Sequence, residues 1–69
     1  MNALVESLTQ IKERGNLQFK KKAYKEAIKL FSEGVKLFEE QGKPIENLEV
    51  KTVITQIFTN RSLAFHSID

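Results

Sequence analysis

Residues able to do covalent chemistry are few in this chain, and they are not grouped. His66 is the single histidine and there is no cysteine. That removes a thiolate nucleophile, a disulfide and a metal site built from protein ligands alone, which needs about three or four ligands. Ser7, Ser32 and Ser62 stand in no pattern that supplies a base, and a hydroxyl is a weak nucleophile without one. His66 has no Ser, Asp or Cys motif beside it and reads as a partly exposed helix residue rather than a catalytic base. We therefore expect no enzymatic activity and no cofactor. What remains is binding chemistry, carried by lysine ammonium groups and asparagine amides.

The balance of charge limits what such groups bind. The net charge is +2, which is mild. Lys20, Lys21, Lys22, Lys25 and Lys29 lie close together, but Glu26, Glu33, Glu39 and Glu40 dilute them. Charge runs of this kind are usually solvated faces, and we expect no nucleic-acid partner. No apolar run approaches the ~20 residues of a membrane span, so no membrane role is expected. Met1–Gln10 carries Glu6 and no basic residue ahead of its apolar positions, unlike a signal or transit peptide. Together with the lack of cysteine, this points to the cytosol or nucleus, and the expected location is cytoplasmic.

Three amphipathic segments must position the polar groups. In residues 3–21, Leu4, Leu8, Ile11, Gly15 and Phe19 recur in steps of three and four, which keeps one stripe on one helix face. Asn2 is the expected N-cap. Gly15 costs ~1 kcal/mol in mid-helix, so close approach of another helix is expected there. In residues 24–41, Tyr24, Ala27, Ile28, Phe31, Val35 and Phe38 repeat the spacing, and Gly34 again sits within the stripe. Gly42 reads as the stop, with Pro44 beyond it. In residues 48–68 the stripe is Val50, Val53, Ile54, Ile57, Phe58, Ala64, Phe65 and Ile68. Its β-branched richness is a strand-like signal, but period and length favour helix. The link at Lys22 and Ala23 is short enough to make the first two helices antiparallel neighbours. The expected fold is all-α, a helix hairpin plus a third helix over residues 1–69. A chain of 69 residues buries only about 60% of its unfolded surface, and the third helix carries a wide stripe with no following partner. We expect the parent protein to continue.

These residues bring a family into view. Lys12–Leu37, K-E-R-G-N-L-Q-F-K-K-K-A-Y-K-E-A-I-K-L-F-S-E-G-V-K-L, resembles one tetratricopeptide repeat (TPR). The family places a small residue, then aromatic, Tyr, Ala, aromatic and small positions, matched in order by Gly15, Phe19, Tyr24, Ala27, Phe31 and Gly34. Ile11 stands where Trp is common, and the usual Pro is displaced to Pro44. Phe58–Phe65, F-T-N-R-S-L-A-F, resembles the start of a second repeat. Asn60 then corresponds to Asn16, 44 residues earlier, against a repeat of ~34 residues. A lengthened first repeat of this kind is similar to those of some co-chaperones and immunophilins. The resemblance covers roughly residues 8–68 and implies one and a half repeats of an α-solenoid, whereas about three are needed for a stable array.

Chaperone-binding members of the family hold the C-terminal tail of heat-shock protein 70 or heat-shock protein 90, Glu-Glu-Val-Asp, in a carboxylate clamp of Lys and Asn side chains. The resemblance assigns Lys12 and Asn16 to its first pair and Asn60 to the next position. The i, i+4 spacing of Lys12 and Asn16 puts both on one helix face. A carboxylate only accepts hydrogen bonds, and these groups donate. Phe19, a further turn along, is expected to pack the tail's Val. The other two clamp positions, normally basic, belong to a later helix outside this sequence. Each assignment has a plainer counterpart. Lys12 alone reads as a surface lysine, Asn16 as a structural residue of repeats of any function, and Asn60 as a hydrogen-bonding partner of a neighbouring helix. Two other functions also stay open. One is a scaffold that packs on another protein or self-associates through its third helix. The other is a docking appendage on an enzyme such as an immunophilin or phosphatase.

Overall fold

A computed structural model describes residues 3–41 and 47–68, and all of its regular structure is helical: α1 (Ala3–Lys20), α2 (Tyr24–Glu39) and α3 (Leu48–Ser67). The expected helix hairpin plus third helix is the observed architecture, with ends within two residues of those expected. Asn2, Gly42 and Pro44 lie outside the described residues.

The reversal between α1 and α2 is made by backbone bonds. Ala23 N–H donates to Gln18 O at 2.9 Å and Lys22 N–H to Phe19 O at 2.9 Å. This is the paired closure of a Schellman motif, which needs its C′ residue in the left-handed region. Lys22 takes that position at φ 65°, a conformation that costs a non-glycine residue roughly 1–2 kcal/mol. At the other end of the hairpin, α2 finishes with the Gln41 side chain donating to Leu37 O at 2.9 Å, which satisfies a carbonyl left over at the helix end.

The third helix overrides its strand-like composition. Asn47 Oδ1 accepts from Val50 N–H at 3.2 Å and caps the first turn, worth about 1 kcal/mol. Thr52 and Thr55 turn their hydroxyls onto the carbonyls of Leu48 and Lys51, at 2.9 and 2.7 Å. Such i−4 bonds give a β-branched hydroxyl residue a partner inside a helix. The apolar members of the helix then bury Val50, Val53, Ile54, Ile57 and Ala64.

The core lies where the three stripes meet. Leu8 from α1, Ala27, Phe31 and Val35 from α2, and Val50, Val53, Ile54 and Ile57 from α3 form one buried cluster. Both helical glycines are contact points. A Cβ on Gly15 would lie 2.7 Å from Cδ1 and Cζ of the fully buried Phe31. One on Gly34 would lie 3.1 Å from both Ile11 Cγ2 and Ile57 Cδ1. Contacts of residue 15 with 31 and of residue 11 with 34 run in opposite directions, so α1 and α2 are antiparallel. Phe58, Phe65 and Ile68, expected in the third stripe, stay 42%, 49% and 44% exposed. No described helix is long and apolar enough to cross a membrane.

Candidate functional site

Helices α1 and α3 run parallel, and the bonds between them mark their register. Lys12 Nζ donates to Gln56 Oε1 at 3.0 Å, and one turn later Asn60 Nδ2 donates to Asn16 Oδ1 at 3.0 Å. Both pairs are separated by 44 residues. The core produces this alignment. Ile11 and Ile57 both close on Gly34 of α2, so their sequence neighbours Lys12 and Gln56 turn away from α2 toward each other. Neighbouring residues lie about 100° apart on a helix of 3.6 residues per turn, enough to move from the buried face to its flank.

Lys12, Asn16, Thr55, Gln56, Thr59 and Asn60 line one concavity of ≈ 300 Å³ along this seam. The three polar residues assigned from the sequence therefore stand together. Phe19 does not line this concavity. It packs against the core and meets the Tyr24 ring edge-on at 5.2 Å between centroids, with 70° between the planes. Arg61 is likewise turned elsewhere, with its guanidinium 5.6 Å from the centre of the Phe58 ring, within the range of a cation–π contact.

The hydrogen bonds within the concavity leave it rich in donors. A primary amide has one acceptor oxygen and two N–H donors, and an ammonium has three donors. The Lys12–Gln56 bond uses the Gln56 oxygen, and the Asn60–Asn16 bond uses the Asn16 oxygen. Two of the three amide oxygens thus already accept a bond within the site, the Asn60 oxygen being the third. Two N–H groups of Gln56, two of Asn16, one of Asn60 and the rest of the Lys12 ammonium are left for a visitor. The Thr55 hydroxyl hydrogen is committed to Lys51 O. The partner of Lys12 is a neutral amide, so its positive charge is not cancelled by that contact. A group that accepts several hydrogen bonds and carries negative charge complements this surface, and charge-assisted bonds of that kind are the stronger ones.

Gln56, Thr55 and Thr59 complete the lining, and none of them was singled out as a binding residue from the sequence. A signal for Gln56 was present: the offset of 44 that relates Asn60 to Asn16 also relates residue 56 to Lys12. No group of three or more His, Cys, Asp or Glu that could hold a metal occurs among the described residues. No family model, curated protein or solved structure matches this chain.

Proposed function

We propose that this chain is a binding module of tetratricopeptide type, acting without catalysis and in the cytoplasm. Its α1–α3 seam holds a carboxylate-bearing tail of another protein, of the kind carried by heat-shock protein 70 or heat-shock protein 90. One observation carries the reading. Lys12, Asn16 and Asn60 line a single concavity in which the Gln56 and Asn16 amide oxygens each already accept a bond, while N–H groups of Gln56, Asn16 and Asn60 remain. In this role Lys12 supplies charge, while Asn16 and Asn60 supply oriented N–H groups. Phe19 acts from behind through Tyr24 and the core, not by touching the tail within the concavity.

Calorimetry with a peptide ending in Glu-Glu-Val-Asp tests it. The peptide should bind with its terminal carboxylate free and lose affinity when that group is amidated. Lys12→Ala and Asn16→Ala should each weaken binding about tenfold or more, the scale of a hydrogen bond to a charged group. Absence of heat, or binding unchanged by Asn16→Ala, removes the reading. The exposed Phe58 and Phe65 on α3 and Ile68 just beyond its end favour a second reading, a scaffold that packs on another protein or self-associates. Sedimentation that stays monomeric over a wide concentration range speaks against self-association.

A further inference from the structure

We propose that Gln56 is a fourth ligand-holding residue of this site, fixing Lys12 with its amide oxygen while offering its amide N–H groups to the bound carboxylate; the inference rests on the carboxylate reading above. Gln56 lies one turn ahead of Asn60 on α3 and lines the same concavity. Its Oε1 accepts from Lys12 Nζ at 3.0 Å. That oxygen is the only acceptor of the side chain, so what Gln56 presents to a ligand is its NH2 group. Among neutral side chains, only a primary amide accepts strongly from an ammonium through one atom and donates two N–H bonds through another.

The same bond prepares Lys12. A free lysine side chain samples many rotamers, and fixing it at the moment of binding subtracts from affinity. Held across the seam, Lys12 has spent part of that freedom before a ligand arrives. The neutrality of Gln56 matters equally. A glutamate in its place would keep a hydrogen bond to Lys12 but form an ion pair, cancel the charge and exchange two donors for acceptors. The site would then lose its net attraction for the group it is built to hold. Gln56 is exposed, so its substitution removes nothing from the core.

The test is fluorescence anisotropy of a labelled peptide ending in Glu-Glu-Val-Asp, titrated with the full chain at low and moderate salt. Gln56→Glu should weaken binding about tenfold or more and flatten its salt dependence, because the net attraction at the site is lost. Gln56→Leu, which removes donor and acceptor without adding charge, should weaken it about three- to tenfold. In a Lys12→Ala background the Leu substitution should still weaken binding, since the direct N–H contact remains to be lost. Circular dichroism identical to the parent chain shows that each variant is folded. Gln56→Glu binding within about twofold of the parent, while Lys12→Ala and Asn16→Ala weaken it, overturns the role of Gln56 and leaves the carboxylate site standing. If Lys12→Ala and Asn16→Ala also bind like the parent, the carboxylate reading fails, and this inference falls with it.

Discussion

Helices α1 and α3 are joined in two ways that differ in kind. On the side facing α2 the contact is apolar and tight: Ile11 and Ile57 converge on Gly34, and Phe31 fills the space that Gly15 leaves open. On the other side the helices are bridged by two hydrogen bonds, Lys12 to Gln56 and Asn60 to Asn16, over an open concavity. The apolar side uses shape completely, with Phe31 fully buried. The polar side spends only part of its hydrogen-bonding capacity on itself. The first sets the register between the helices, and the second presents that register to a visitor. Stability and binding should therefore be separable by mutation.

The largest effect should come from the tight side. Gly15→Ala places a Cβ against the buried Phe31 ring. Overpacking of this kind costs about 1–3 kcal/mol, enough to outweigh the ~1 kcal/mol that alanine gains in a helix. The thermal midpoint should fall by about 4–8 °C for each kcal/mol lost, read by circular dichroism. Gly34→Ala is the control. Its Cβ would meet Ile11 and Ile57 side-chain methyl groups at 3.1 Å, a few tenths of an ångström too close. Small movements there set against the helical gain should leave stability within about 1 kcal/mol. Equal losses from the two glycines would break the distinction between a ring that cannot yield and methyl groups that can.

The polar seam should cost less to disturb. Asn60→Ala removes the part-buried bond to Asn16 and should lower stability by about 0.5–1.5 kcal/mol. Lys12→Ala, which removes the exposed bond to Gln56, should stay within about 0.5 kcal/mol. A large stability loss from Lys12→Ala would mean that the seam holds the fold together and that binding cannot be separated from it.

Most of the fold was legible because it rests on periodicity. Three stripes at helical spacing located three helices, and Gly15 and Gly34 inside those stripes signalled the close approaches that Phe31, Ile11 and Ile57 make. The β-branched residues of α3 pulled toward a strand, but Thr52 and Thr55 bond back to their own helix, a local solution that composition does not show. The site was legible in part. Lys12 and Asn16 share a helix face through their spacing, whereas their meeting with Gln56 and Asn60 depends on how α3 slides against α1, a tertiary property. Phe19 shows the opposite case. Its place near Asn16 in sequence suggested a ligand contact; what the spacing did not show is that its ring also meets Tyr24, because the Schellman turn at Lys22 brings the start of α2 back over the end of α1.

The most direct test is to titrate the nitrogen-labelled chain with a peptide ending in Glu-Glu-Val-Asp and follow the side-chain amide signals of Asn16, Gln56 and Asn60 by nuclear magnetic resonance. If the seam holds a carboxylate, these three amides shift together as the peptide is added and stay in place when its C-terminus is amidated. Amide signals that do not move, with changes confined to the exposed face of Phe58, Phe65 and Ile68, would contradict it.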